Sequence, residues 1–222
     1  ITKIARSHGA LDVLGLVGNQ VELVQMRLPE KSKMLHKALS SLPIPKETLV
    51  VAVVREDELF VPGGSDVLLP GDRIYVIGRA GEMENVEDLF TGGKEATRVF
   101  IIGGGVVGQT LAHNMEEAGI DTVIVEKNRA TAEYLGNNLS SAEVLHGDGT
   151  DISILQDEQV GTFDLVCAVT KDDEVNLMAA LLAKREGAQR VVCLVQRPDY
   201  TDIYRQLGID VVLSPREVAC EH

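Results

Sequence analysis

Apolar and polar positions divide the chain into two stretches of different rhythm. After residue 97, short and nearly continuous apolar runs alternate with segments whose apolar residues recur every three or four positions. The runs predict strands at 98–102, 122–126, 143–146, 164–169, 190–195 and 210–213. The amphipathic segments predict helices at 108–118, 129–137, 173–186 and 199–207. Strands that are apolar on both faces are strands covered by helices on both sides. Repeated alternation of this kind predicts an α/β fold with a doubly wound parallel sheet, the Rossmann arrangement.

The earlier stretch is mixed. It predicts a helix tail at 1–10, a strand at 20–28, and a helix carrying Met34, Leu35, Ala38, Leu39 and Leu42 on one face. A β-branched run predicts a strand at 49–55, and Glu56-Asp57 turns it into a short strand at 59–61. Pro70-Gly71-Asp72 is a turn before a strand at 73–78. This is a small α+β domain without a catalytic constellation. The polar, glycine-bearing stretch Thr91-Gly92-Gly93-Lys94 marks the boundary, giving domains 1–92 and 93–222. Near the other end, Ser214-Pro215-Arg216-Glu217 has the form of a capping box with proline at the first helical position. Only five residues follow it, so the sequence reads as a piece of a longer chain.

Charge and composition narrow the function classes. The 222 residues carry 21 Lys+Arg against 34 Asp+Glu, a formal net charge of -13. A nucleic-acid binder needs a basic face, and so does a protein that docks directly on anionic lipid. Neither class fits. No apolar run approaches the roughly 18–20 residues of a membrane span, so direct membrane insertion is not expected. Cys167, Cys193 and Cys220 are an odd count with no close pair, which gives neither a zinc site nor a disulfide framework. That usage fits a reducing cytoplasm.

Four strand ends carry candidate chemistry. Gly103, Gly105 and Gly108 satisfy the dinucleotide fingerprint within Gly103-Gly104-Gly105-Val106-Val107-Gly108, between an apolar strand and an amphipathic helix. The first glycine makes the tight turn, the second admits a pyrophosphate to the backbone, and the third lets helix and strand pack closely. The anion then sits at a helix N-terminus. Glu126 ends the next strand, 23 residues after Gly103, where a carboxylate accepts hydrogen bonds from both ribose hydroxyls of an adenine nucleotide. Its charge repels a 2′-phosphate, favouring NAD(H) or a plain adenosine phosphate, although Lys127 and Arg129 lie close enough in sequence to blunt that preference.

Asp148, in Gly147-Asp148-Gly149, either meets adenine or ribose or caps its own turn. In Thr170-Lys171-Asp172-Asp173-Glu174, Thr170 and Lys171 lie nearest the strand end and are the better ligand candidates. The acids after them either cap a helix or hold a cation.

What is missing bears on the reaction class. Of five histidines only His146 falls at the ligand edge, and no nucleophile elbow, Walker loop or HExxH occurs. A dehydrogenase would need a substrate domain and a proton-transfer residue facing the nicotinamide, and the first domain offers neither. Binding without catalysis is expected. An NAD-dependent oxidoreductase fragment is the alternative.

The segments VFIIGGGVVGQTLA, VIVEKN, HGDGTD, AVTKDDEVNLMAALLAK and RPDY with LGIDVVLSP stand in the order and spacing of the domains that regulate potassium conductance, the RCK family. Within it the second domain resembles the Trk-type potassium-uptake regulatory subunits. The first resembles the small domain that normally follows such a nucleotide-binding unit. The resemblance implies a tandem chain, of which this is the small domain of one pair and the Rossmann unit of the next. It implies a cytoplasmic, non-enzymatic subunit that assembles as dimers or a ring beneath a Trk-type potassium-transporting membrane protein. It implies NAD or NADH, or else ATP/ADP, with Gly103–Val107 cradling phosphates and Glu126 holding ribose. Lys127, Asp148, Thr170 and Lys171 would line the remainder. The chain departs from the family at Leu194-Val195-Gln196, where some members carry a basic residue, which puts a second phosphate contact in question.

Overall fold

The computed structural model describes residues 10–16, 20–56, 58–92 and 96–214. The chain divides into two compact units meeting at residues 95 and 96. The expected helix tail (save Ala10), Gly93 and Lys94 of the boundary stretch, and the capping-box residues after Ser214 lie outside the described residues.

The first unit is an antiparallel sheet. Its strands are β1 (Ala10–Leu16), β2 (Val21–Arg27), β3 (Leu49–Arg55), β4 (Glu58–Phe60) and β5 (Arg73–Arg79), in the order β1-β2-β5-β3-β4. Strand β1 was not foreseen, and it begins at Ala10, where the sequence predicted the end of a helix. Buried and half-buried positions alternate along β5 and the second half of β2, so one face places Val24, Met26, Ile74 and Val76 in the core. Helix α1 (Met83–Thr91) closes that core with Met83, Val86 and Phe90, and ends where Gly92 takes a left-handed conformation at φ 94°. Just before β5 the buried Asp72 carboxylate accepts from Arg55 Nε and Nη2 at 2.9 and 2.8 Å, and from the Leu69 amide at 2.8 Å.

The helix expected over 34–42 does not form. Its amides pair with a neighbouring strand-like segment instead: those of His36, Leu39 and Ser40 donate to the carbonyls of Leu68, Asp66 and Gly64. Ala38 is extended, His36 has φ 58°, and Leu42, preceding Pro43, is extended as that position requires. Only Leu39–Ser41 makes a short 3-10 turn. Met34, Leu35 and Leu42 are buried all the same, so the apolar spacing reported burial correctly and backbone shape wrongly.

The second unit is the expected doubly wound sheet. Parallel strands β6 (Arg98–Ile102), β7 (Asp121–Glu126), β8 (Glu143–His146), β9 (Leu165–Ala168), β10 (Val191–Leu194) and β11 (Val211–Leu213) lie in the order β11-β10-β9-β6-β7-β8. Between them run α2 (Val106–Glu117), α3 (Arg129–Asn138), the unforeseen short α4 (Ile152–Asp157), α5 (Asp173–Arg185) and α6 (Thr201–Gln206). Both faces of the central strands are buried: Val99, Phe100, Ile101 and Ile102 are all but inaccessible, as are the four residues of β9. The alanine face of α5 (Ala179, Ala180, Ala183) packs on one side of the sheet with Phe163 and Val191. Chain direction across the sheet reverses between β6 and β9, and the crevice outside their carboxyl ends is where such sheets take ligands. Among the described residues no helix is long and apolar enough to cross a membrane.

Candidate functional site

The turn after β6 is built by contact. Gly103 sits at φ 107°, a conformation that side chains resist, and its amide donates to the Val125 carbonyl at 2.9 Å. A Cβ on Gly103 would lie 2.8 Å from Thr170 Cγ2, so the turns after β6 and β9 touch across the reversal. A Cβ on Gly108 would overlap the carbonyl oxygen of Gly103, which keeps the start of α2 tight against the turn. Gly105 differs: its backbone is extended and nothing lies within 4 Å of where a Cβ would be. The open side of the loop is therefore at the middle fingerprint glycine. Val106 is 78% exposed and Val107 is partly exposed at the helix start, where amides lack intrahelical acceptors.

Glu126, at the end of β7, is brought onto this loop. Its Oε2 accepts the Gly104 amide and its Oε1 the Asn128 amide, both at 2.6 Å. A Cβ on Gly104 would press on Leu135 and on Glu126 itself. Asn128 in turn caps α3 through the Thr131 amide. A carboxylate offers about four lone-pair positions, so two remain for hydroxyl donors.

The turn after β8 carries Asp148. Its Oδ1 accepts the amide and hydroxyl of Thr150 at 3.0 and 2.7 Å, which is the self-capping role, and its Oδ2 meets Lys127 Nζ at 2.7 Å. The lysine ammonium, with Thr150, holds the Asp148 carboxyl well below the usual range, at about 2. The same contact raises Lys127. His146 is exposed at the end of β8.

At the turn after β9 the acids serve the fold. Asp172 caps α5 by accepting the Val175 amide, and the buried Asp173 accepts the amides of Gln196 and Arg197 at 2.7 and 3.2 Å. Among the described residues no cluster of three side chains suited to a metal ion occurs. Thr170 is held rather than free: its amide and hydroxyl donate to Asn176 Oδ1 at 2.8 and 2.6 Å. Lys171 is exposed beside it. Asn176, not singled out in the sequence, also donates to the carbonyls of Thr170 and Leu194, joining the ends of β9 and β10. An asparagine within the apolar helix segment EVNLMAALLA is the signal that marks it.

These strand ends therefore bring Gly103–Gly108, Glu126 and Thr170 into contact, and pair Lys127 with Asp148 beside them. The arrangement offers backbone amides and a helix start for an anion, and a carboxylate for hydroxyls. It offers no nucleophile–base pair.

Comparisons with known proteins agree with this picture. Residues 99–215 match the TrkA-N domain and residues 23–91 the TrkA-C domain. The chain is 36% identical over 220 residues to the Trk system potassium uptake protein trkA homolog 1 of Methanosarcina mazei, covering 98% of this chain and 54% of that protein. It is 32% identical to the Trk system potassium uptake protein TrkA of Halomonas elongata, covering 98% of this chain and 48% of that one. The chain thus spans about half the length of the curated relatives it matches. Among solved structures, the GsuK RCK domain has the same fold, with a TM-score of 0.60 at 16% identity over 98% of this chain and 48% of that one. The GsuK channel bound to NAD matches with a TM-score of 0.59 at 16% identity, over 98% of this chain and 40% of that one.

Proposed function

The chain belongs to the TrkA family of potassium-uptake proteins, and from that membership we propose that it is a nucleotide-binding regulatory piece of a potassium uptake system. In this reading NAD or NADH, or ATP/ADP, binds across the carboxyl edge of the second unit. Gly103–Gly108 receive the phosphates and Glu126 the adenosine ribose, with Lys127, Asp148, Thr170 and Lys171 around them. The observation that carries it is the contrast within the fingerprint. Gly103, Gly104 and Gly108 are closed in by neighbours, while Gly105 opens on empty space at a helix start, next to the Gly104 amide that Glu126 accepts. Packing explains three of these glycines, and an approaching ligand explains the fourth.

The partner in this reading is a Trk-type potassium-transporting membrane protein at the inner face of the cell membrane, with the regulator in the cytoplasm as a dimer or ring. Such a ligand gates only through different affinities for two arrangements of the assembly. Phosphates of different number at the glycine loop supply such a difference.

Calorimetric titration with NADH, NAD, ATP and ADP tests the site, with Glu126→Ala as control. Saturable binding that the substitution weakens, with no NADH oxidation in the presence of small carbonyl acceptors, is the expected result. Turnover of NADH would favour the oxidoreductase reading, and failure of every nucleotide to bind would overturn the site.

A further inference from the structure

A 2′-phosphate on a ribose held at Glu126 would need a cation beside that carboxylate, and two follow it in sequence. Both are engaged. Arg129 Nε lies 2.9 Å from Glu133 Oε1, and Lys127 Nζ lies 2.7 Å from Asp148 Oδ2. The pairs differ in kind. Arg129–Glu133 is an exposed i,i+4 pair on one helix, of the sort most surface helices carry. Lys127–Asp148 is tertiary, joining the turns after two neighbouring strands, β7 and β8.

The acid in that second pair is fixed. Thr150 donates to Asp148 Oδ1 twice, and the Asp151 amide donates to the Asp148 carbonyl at 2.8 Å. The glycines on either side leave no slack, since a Cβ on Gly147 would overlap Ile154 and one on Gly149 would overlap Ile102. The Gly147 amide is also tied to the Glu126 carbonyl at 3.0 Å, so the turn is anchored to the strand that presents the ribose-binding carboxylate. Lys127, by contrast, is a long exposed side chain, and its ammonium is paired with this anchored anion. Its position is therefore set by Asp148.

We infer that Asp148 is a specificity-determining residue that excludes 2′-phosphorylated adenine dinucleotides by holding Lys127 in an ion pair beside the Glu126 subsite. The inference rests on the nucleotide reading above. A ribose with a free 2′-hydroxyl donates to Glu126 and needs no cation. A 2′-phosphate meets the Glu126 carboxylate and a lysine whose charge is already neutralised by Asp148. To recruit Lys127 it must break the pair. The selectivity thus lies in a contact between two protein side chains as well as in the acid at the strand end.

NADH and NADPH titrated into the purified chain test this, with Asp148→Asn alone and combined with Lys127→Ala. Asparagine keeps the acceptor for Thr150 and the size of the side chain, so the turn is retained. The wild-type chain is expected to prefer NADH. Asp148→Asn should narrow the NADH-to-NADPH preference by about threefold to fivefold, the scale of one exposed charge contact. Adding Lys127→Ala should restore the wild-type ratio, and the narrowing should fade as salt rises from roughly 0.1 to 1 M. An unchanged ratio in Asp148→Asn, or a change that survives loss of Lys127, overturns the inference while leaving the site standing. A wild-type chain that binds neither probe overturns the nucleotide reading itself and this inference with it.

Discussion

Asn176 and Thr170 hold each other at three points: the amide and hydroxyl of Thr170 both donate to Asn176 Oδ1, and Asn176 Nδ2 donates to the Thr170 carbonyl at 3.0 Å. The second amide proton reaches the Leu194 carbonyl at 2.9 Å. The carboxamide is fully buried, so Asn176→Leu would leave these groups without partners in a dry site. We predict a loss of about 2–4 kcal/mol in urea unfolding. A loss under about 0.5 kcal/mol, the level of an indifferent surface change, would show that the network does not hold the two strand ends together.

The fingerprint glycines should separate by experiment. Gly108→Ala puts a methyl group into the Gly103 carbonyl, and overpacking of this sort costs about 1–3 kcal/mol or more. Gly105→Ala meets nothing and asks for an ordinary backbone conformation. Its thermal unfolding should stay within a degree or two of wild type, on the scale of a neutral surface change. Nucleotide titration should nonetheless weaken at Gly105→Ala. Equal stability losses in both variants would contradict the division between packing and ligand glycines.

Acid should destabilise both units through identifiable carboxylates. Burial pushes Asp72 up, but the Arg55 guanidinium and the Leu69 amide outweigh it and leave the group below its ordinary value of 3.8. Glu116 is likewise pushed up by burial and brought below 4.5 by the amides of Ser141 and Ala142. Lys127 and Thr150 bring Asp148 to about 2. Each folded-state value is lower than the unfolded one, so each contribution is present above the unfolded value and disappears as pH falls through the folded value. Urea midpoints should therefore drop between about pH 4.5 and pH 2, with a shallower drop in Asp148→Asn. An acid limb indifferent to that substitution would count against the Lys127–Asp148 pair.

Thiol chemistry offers a check on the sheet interior. Burial pushes Cys167 and Cys193 up to about 12, and both side chains are inaccessible. In a Cys220→Ser chain, a disulfide reagent at about pH 8 should label neither thiol until denaturant is added, since the thiolate is the nucleophile. Rapid labelling of the native chain would contradict the packing of β9 and β10.

The second unit was legible because its central strands are buried on both faces and its helices on one, so period and burial agree there. The short α4 escaped because six residues give too little periodicity, although Asp151 caps it by accepting the Ser153 amide. The first unit was harder to read. Met34, Leu35 and Leu42 had helical spacing, but the carbonyls of Gly64, Asp66 and Leu68, distant in sequence, took the amides a helix would have used. Helix α1 had a usable signal in Met83, Val86 and Phe90, each on one face. Strand-end motifs singled out Gly103–Gly108, Glu126, Asp148 and Thr170 as candidates from sequence alone. That both Glu126 oxygens accept backbone amides, and that Lys127 faces Asp148, depends on turns meeting in space.

The reversal between β6 and β9 also has a kinetic consequence. Val99 pairs with Thr122, 23 residues away, but with Leu165 only across 66 residues. Closing the longer loop costs more chain entropy, and pairings of such separation slow folding. Gly103 and Thr170 face each other across that long-range pair, so their crevice exists only once the two halves of the sheet have joined. A molecule that binds there finds no purchase on a half-assembled chain. It should lengthen the lifetime of the folded state while leaving the rate of reaching it unchanged.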